Sequence, residues 1–189
     1  MKKRKAPWGD AVGCRSWILS LVLLTTGCNL AAKKPDLTSS STRSKISADA
    51  MELEFQSFPG LTPWKLSSLR GKVVLLDVWA TWCEPCRESL PLYEDMAKEY
   101  GARGFEVIAV SVDDNPELIP PFLADTKVKL PVVVDPSAKV VGDKLKVNQL
   151  PTAFLIDRKG VVRITHEGFD EQMLSTWLKE IEGLLAEPQ

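Results

Sequence analysis

Two cysteines separated by two residues are the feature of this sequence whose residue types and spacing could carry out chemistry. Cys83 and Cys86 enclose Glu84 and Pro85, between an apolar run at residues 73–79 and a helical pattern. The attacking species in disulfide exchange is the thiolate, which the partial positive charge and free N–H groups of a helix N-terminus stabilise. We therefore predict that Cys83 attacks a substrate disulfide and that Cys86, one turn further in, resolves the mixed disulfide.

The residues between the two cysteines favour a reducing protein. Pro85 fits the first helical turn, where a missing N–H costs little. Glu84 puts negative charge at the positive end of the helix, which disfavours the thiolate and so disfavours a strongly oxidising pair. Half of a zinc site is the alternative, but one cysteine pair and the single histidine, His166, do not supply four ligands. We predict no metal and no cofactor beyond the redox-active pair.

The N-terminal 28 residues have the order of an export signal. Basic residues at the start are followed by an apolar run at 17–24 and by small or polar residues before Cys28. The run is shorter than the roughly 20 residues that span a bilayer as a helix. A short, uncleaved membrane anchor is the alternative interpretation. Cleavage would remove Cys14, and an exported chain left with one close cysteine pair is typical of redox activity rather than of a disulfide scaffold.

Residues 24–28 (LTTGC) resemble a lipobox, the signal at which bacterial lipoproteins are cut and lipidated. Gly27 matches that pattern, whereas Thr25 stands where leucine is usual. The resemblance implies cleavage before Cys28 and a lipid anchor on Cys28. Asn29 follows instead of the aspartate that retains enterobacterial lipoproteins in the inner membrane, so the choice between inner and outer membrane stays open.

The composition divides the remaining chain into two parts. Residues 29–50 are rich in Ser, Thr, Lys and Ala and are predicted to form a flexible tether. Residues 51–189 carry the apolar patterning of one domain. Five of the six charged residues before position 29 are basic, so the rest of the chain is net acidic. This balance argues against nucleic acid as a partner.

Strands and helices alternate along the domain. Short strands or a hairpin are predicted from residue 52 to 66, further strands at 73–79, 105–112, 130–134, 153–157 and 161–166, and helices at 85–100, 116–125, 137–144 and about 174–185. This order indicates an α/β fold, with a central mixed β-sheet flanked by helices on both faces.

Two motifs, in which Cys83 and Pro151 lie 68 residues apart, identify a family resemblance. Residues 79–86 (WATWCEPC) and residues 150–157 (LPTAFLID) resemble the active-site and cis-proline segments of TlpA/ResA-like thiol–disulfide oxidoreductases. The resemblance covers residues 52 to 185 and implies a thioredoxin-like fold, with the TlpA/ResA-type strand–helix insertion at 105–135. Members of this family are membrane-tethered and extracytoplasmic, and many act as reductases in cytochrome c maturation.

The resemblance also implies roles for residues away from the cysteines. Pro151 is expected to follow a cis peptide bond beside them, with the backbone of Leu150 exposed to pair with a substrate strand. Trp82, Glu84 and Pro85 are expected to bind substrate together with Leu150. The implied partners are disulfide-bonded exported proteins and a membrane protein that donates electrons.

Asp77 is the residue expected to handle protons. It lies six residues before Cys83 in an apolar run, so we predict that it is buried with a raised pKa and that it takes the proton of Cys86 through a water. Many TlpA/ResA-like proteins have asparagine here, whereas thioredoxins have aspartate. Family members also often have an acid where this chain has Ser89. Glu88 is about 100° away around the helix and is predicted to face solvent.

Other functions of the same fold fit the sequence less well. Peroxidatic sites resemble Pro-x-x-x-Thr-x-x-Cys, but Leu76 and Ala80 occupy the proline and threonine positions. Copper-delivery proteins of the Sco type place three residues between their cysteines and add a distal histidine. A non-catalytic adaptor would not need an intact cysteine pair.

Overall fold

One mixed β-sheet organises residues 50–188, which are the residues that the computed structural model describes. Its strands are β1 (Glu54–Phe58), β2 (Pro63–Lys65), β3 (Val73–Trp79), β4 (Phe105–Ser111), β5 (Val132–Val134), β6 (Thr152–Ile156) and β7 (Val162–Glu167). The α-helices are α1 (Glu84–Tyr100), α2 (Ile119–Thr126), α3 (Lys139–Asp143) and α4 (Leu174–Ala186). Short 3₁₀ helices cover Ala50–Glu52, Leu66–Leu69, Gly101–Arg103, Pro116–Leu118 and Glu171–Met173.

The strands lie in the order β2-β1-β5-β4-β3-β6-β7. β3 runs parallel to β4 and antiparallel to β6, and β4 runs parallel to β5. Two hairpins, β1–β2 and β6–β7, form the two ends of the sheet. The predicted α/β class and mixed sheet are confirmed.

The central strand β3 is buried along its whole length, as its continuous apolar run predicts. Alternate side chains point to opposite faces of the sheet. Val73, Leu75 and Trp79 pack in one core with residues of α1, α2 and α4. Val74, Leu76 and Val78 pack in a second core with α3 and the segment that begins at Ala50. Helices therefore cover both faces, and the two faces of β3 lead into different surroundings.

The redox helix α1 begins directly after Cys83, one residue earlier than predicted. Pro85 lies in its first turn, where the missing N–H is tolerated. Pro91 lies inside the helix, which nevertheless continues to Tyr100.

Other predicted boundaries also differ from the structure, and those of the strands after β3 shift by one or two residues. The helix predicted at 116–125 is divided into the 3₁₀ helix Pro116–Leu118 and α2. The helix predicted at 137–144 is shorter, because Ala138 has a left-handed φ of 49° and the carboxylate of Asp135 accepts the N–H of Val141. Ala50 is 1% exposed, so it belongs to the folded domain rather than to the predicted tether.

The predicted signal at residues 1–28, with Cys28, and the tether up to residue 49 lie outside the described residues. Among residues 50–188, no helix is both long enough and apolar enough to cross a membrane.

Candidate active site

The cysteine pair lies where β3 ends and α1 begins. The Cys83 N–H donates to the carbonyl of Ala80 at 3.1 Å, which closes a tight turn between the two elements. Cys83 and Cys86 form a disulfide with their Cα atoms 5.3 Å apart, so the structure is that of the oxidised protein. Cys83 is 5% exposed and Cys86 is fully buried. The attacking role of Cys83 fits this order of exposure.

A groove with a cavity volume of about 600 Å³ opens beside Cys83. It brings together all four of the predicted substrate-binding residues, namely Trp82, Glu84, Pro85 and Leu150. Its remaining walls are mainly apolar side chains from β3, the end of β4, and α3 with the loop that follows it: Val78, Val112, Ala138, Val141 and Val147, with Asn148 and Gln149 at the edge. An apolar groove with a few polar groups at its edge suits an extended segment of another protein.

Trp82 and Glu84 border this groove and face solvent. Trp82 is 71% exposed, which is unusual for a large aromatic side chain. The Glu84 side chain is 82% exposed and lies 4.0 Å from the guanidinium of Arg87. A cation one turn further along α1 therefore offsets part of the negative charge that the sequence places at the helix start.

Asp77 lies on the opposite face of β3 from the groove. Its neighbour Val78 lines the groove, whereas Asp77 itself is fully buried and neither of its carboxyl oxygens has a hydrogen-bond partner. The residues opposite it on the adjacent strands, Ala109 and Ala153, are small and apolar. Burial raises the pKa of Asp77 from 3.8 to about 8, as predicted.

Two buried residues of α1, Ser89 and Tyr93, carry polar groups in the core below the cysteine pair. Ser89, where the family often has an acid, is fully buried, and its hydroxyl donates to the carbonyl of Cys86 at 3.4 Å. Burial, and then the charge of Asp77, raise the pKa of Tyr93 well above 10.0. The Tyr93 hydroxyl has no partner in good hydrogen-bond geometry, although Ser89 lies near enough to oppose that shift. Glu88 is exposed, as predicted.

Stacked rings fix Tyr93 in place. The ring of Trp177 on α4 stacks on Tyr93 with centroids 5.2 Å apart, and His166 stacks on Trp177 at 4.3 Å. His166 Nε2 lies 2.7 Å from Glu180 Oε2. The single histidine of the chain is therefore part of the packing between β7 and α4. Neither His166 nor Tyr93 had a role predicted from the sequence.

Pro151 follows a cis peptide bond with Leu150, as the resemblance implies. Two hydrogen bonds hold the segment: the Gly168 N–H donates to the carbonyl of Pro151 at 2.7 Å, and the Thr152 hydroxyl donates to the carbonyl of Gln149 at 2.8 Å. Phe58–Pro59 is a second cis bond, which was not predicted from the sequence.

The strand–helix insertion packs directly on the redox helix. Phe122 of α2 contacts Trp79 with ring centroids 4.9 Å apart. The guanidinium of Arg87 lies 4.7 Å above the Phe122 ring and also pairs with the carboxylate of Asp125. Trp79 is fully buried, so it is a core residue rather than part of the substrate surface.

Asp113 is a further residue of the site that was not predicted from the sequence. It follows β4 by two residues, is 1% exposed and accepts hydrogen bonds from Thr81 in the turn before Cys83. The sequence could have indicated this role, because Asp113 follows a predicted strand and the carboxyl ends of adjacent parallel strands meet at one edge of a sheet. Within residues 50–188, no group of three or more His, Cys, Asp or Glu side chains could hold a metal ion.

A redox cysteine pair at the start of a helix, in a mixed sheet of this order, defines a thioredoxin-like thiol–disulfide oxidoreductase. Comparison with known proteins agrees. The model of the AhpC/TSA family matches residues 46–165, and the chain belongs to this family, as a ResA-like member.

Relatives within this family carry names that match the site. The chain is 36% identical over 118 residues to the thiol-disulfide oxidoreductase ResA of Bacillus subtilis (strain 168), a match that spans 62% of this chain and 65% of that protein, just under two thirds of its length. The crystal structure described as a putative thiol:disulfide interchange protein DsbE from Chlorobium tepidum is 36% identical, with a TM-score of 0.68 over 72% of this chain and 95% of that one. The exposed lipoprotein thioredoxin Etrx1 of Streptococcus pneumoniae is 32% identical, with a TM-score of 0.60 over 70% of this chain and 99% of that one.

Proposed function

We propose that this protein is an extracytoplasmic reductase of disulfide bonds in exported proteins. The observation that carries the proposal is the position of the cysteine pair. Cys83 lines an apolar groove at the surface. Cys86 is fully buried in the core, on the face of β3 that carries the buried acid Asp77. One sulfur is thus placed to meet a protein substrate and the other to complete the exchange.

The reaction transfers two electrons to the substrate, and the two thiolates that it releases take up protons from Asp77 and from solvent. The Cys83 thiolate attacks one sulfur of the substrate disulfide, which forms a mixed disulfide and releases the first substrate thiolate. Asp77 takes the proton of Cys86, directly or through water. The Cys86 thiolate then attacks the sulfur of Cys83, which releases the second substrate thiolate and forms the Cys83–Cys86 disulfide seen here.

The groove supplies binding energy to this reaction. Leu150 and Trp82 line the same groove as Cys83, so a segment that contains the substrate cysteine would contact both of them. The backbone of Leu150 offers a place for a short β-pairing, and the valine walls accept apolar side chains. Accessible, extended disulfide segments are therefore the proposed substrates.

The proposal includes two further partners, a membrane protein that donates electrons and the membrane itself. A membrane protein that carries electrons across the bilayer would reduce the pair again after each turnover. The lipobox-like segment that ends at Cys28, together with the name of the pneumococcal lipoprotein relative, supports attachment to the membrane by lipid on Cys28. The family resemblance favours cytochrome c maturation as the pathway.

The lipid anchor can be tested by replacing each N-terminal cysteine. Cys28→Ser should release the protein from membrane fractions, whereas Cys14→Ser should leave it there. Equal retention of both variants would contradict the lipid anchor.

Reduction of insulin disulfides is the direct test of the function. The full chain, held in detergent with dithiothreitol as the electron source, should accelerate insulin precipitation, and Cys83→Ser should abolish the acceleration. Turnover of hydrogen peroxide without any reduction of insulin would contradict the proposal and favour a peroxidase.

A further inference from the structure

The turn that precedes Cys83 is hydrogen-bonded to one buried carboxylate, that of Asp113. The turn runs from Ala80 to Cys83 and contains no regular structure of its own. Asp113 lies 32 positions along the chain from Thr81, yet it accepts the Thr81 N–H at 3.1 Å on Oδ1 and 3.0 Å on Oδ2. The Thr81 hydroxyl adds a third contact, of 2.7 Å, to Oδ1.

Asp113 is itself fixed from the other side by the end of β4. The Ser111 hydroxyl donates to its Oδ2 at 2.9 Å, and the Asp113 N–H donates to the Ser111 hydroxyl oxygen at 3.1 Å. Next to it, the N–H of Val112 donates to the carbonyl of Trp79 at 3.0 Å. The segment after β4 thus holds the chain on both sides of Ala80, immediately before the redox centre.

Every hydrogen bond to the Asp113 side chain comes from a donor, and each of its two oxygens accepts two of these bonds, the Thr81 N–H being shared between them. A carboxylate is the side chain that offers acceptors on both sides, whereas an amide of the same shape must turn an NH₂ toward one set of donors. Hydrogen bonds to a charged acceptor in a buried site are also stronger than neutral ones. The arrangement therefore requires aspartate and not merely a residue of its size.

We propose that Asp113 is a positioning residue for the exchange reaction. It fixes the turn at Thr81 and so sets where Trp82 borders the groove and where the Cys83 sulfur lies relative to the first N–H groups of α1. Those N–H groups stabilise the attacking thiolate, so a looser turn lowers the reactivity of Cys83. The inference rests on the proposed function for its role in turnover, but the reactivity of Cys83 can be measured without any substrate.

Asp113→Asn is the variant that tests this, and Asp157→Asn is its matched control. Asp157 is also a buried aspartate that caps a turn, accepting the N–H groups of Lys159 and Val161, but its turn lies at the far end of β6 from Pro151. In the reduced full chain, Asp113→Asn should lower the rate of Cys83 alkylation by iodoacetamide about tenfold, because small displacements in an active site have large kinetic effects. Asp157→Asn should lower thermal stability and leave the alkylation rate unchanged.

Thr81 provides a second, milder test that does not depend on the folding of Asp113→Asn. Thr81→Val removes the hydroxyl donor and should slow alkylation about threefold, as expected for one hydrogen bond, whereas Thr81→Ser should restore the rate. Alkylation of Asp113→Asn and Thr81→Val at the wild-type rate would overturn the positioning role. Slow alkylation together with wild-type protein that fails to reduce insulin would keep the role of Asp113 and overturn the proposed function instead.

Discussion

The two sides of the cysteine pair differ in solvent exposure and in the groups that surround each sulfur. On the groove side, Cys83 meets an open apolar surface bordered by the exposed indole of Trp82. On the core side, Cys86 is fully buried on the face of β3 that carries the unpaired carboxyl of Asp77, in the same core as the ring of Tyr93. Adjacent residues of one strand, Asp77 and Val78, face these two regions, because side chains alternate along β3.

This contrast indicates a division of labour within a motif of four residues. In the proposed mechanism, the open side recognises and attacks a substrate, which requires access and apolar contact area. The closed side is proposed to move a proton, which requires a group with a pKa near the working pH and little water. Substitutions on the two sides should therefore fail in different ways.

Removal of each sulfur should give the largest and most different effects. Cys83→Ser should abolish insulin reduction, because no thiolate remains to attack. Cys86→Ser should still attack but should accumulate a mixed disulfide between Cys83 and the substrate, since the resolving sulfur is missing. Non-reducing gel electrophoresis distinguishes the two, and a trapped adduct in Cys83→Ser but not in Cys86→Ser would reverse the assigned roles.

Asp77→Asn should have the next largest effect on turnover. General acid–base groups contribute on the order of 10²-fold or more, so kcat/KM should fall by about that factor. In the wild type, the rise of kcat/KM with pH should include a step near pH 8, where Asp77 ionises, and the variant should keep the step from the Cys83 thiol but lack this one. A pH–rate profile that is the same in both proteins would exclude Asp77 as the proton acceptor.

Asp77→Asn should make the protein more stable although it lowers turnover. The folded pKa of Asp77, about 8, lies above its unfolded value of 3.8. Its contribution to stability is therefore fully present below pH 3.8 and is lost as the pH rises toward 8, at up to about 1.4 kcal/mol per pH unit. Urea denaturation of the oxidised proteins should show that the variant is the more stable one at pH 8 and that its advantage shrinks toward pH 4. A constant difference between them would contradict the raised pKa.

Trp82→Ala should have the smallest effect, confined to the groove side. Loss of the exposed ring should raise KM for insulin several-fold and leave kcat and the urea midpoint nearly unchanged, because surface substitutions rarely alter stability by more than about 0.5 kcal/mol. Val161→Ala is the control, since Val161 is also exposed but lies in the turn between β6 and β7. Equal KM values for both variants would mean that Trp82 makes no contact with substrate.

The sequence was sufficient to predict features that depend on local pattern. The continuous apolar run correctly predicted that β3 is a buried strand and that Asp77 lies within it. The proline between the cysteines and the helical spacing after them placed Cys83 at the start of α1. The Leu150–Pro151 cis bond followed from the family resemblance rather than from physical reasoning.

Contacts between distant elements could not be predicted in the same way. The hydrogen bonds from Thr81 to Asp113 depend on the parallel register of β3 and β4, which pairs Trp79 with Ser111. The stack of Tyr93, Trp177 and His166 depends on how α1, α4 and β7 pack together. Neither register nor packing leaves a periodic signal in one segment of the chain, so both required the structure.

The redox potential of the Cys83–Cys86 pair tests the assignment as a reductase most directly. It can be measured by equilibrating the full chain in glutathione or dithiothreitol buffers and trapping the free thiols. We expect a reducing potential close to that of thioredoxin, about −270 mV. A value near about −120 mV, as in the oxidant DsbA, would contradict the proposed reductase function and would make the protein a donor of disulfide bonds.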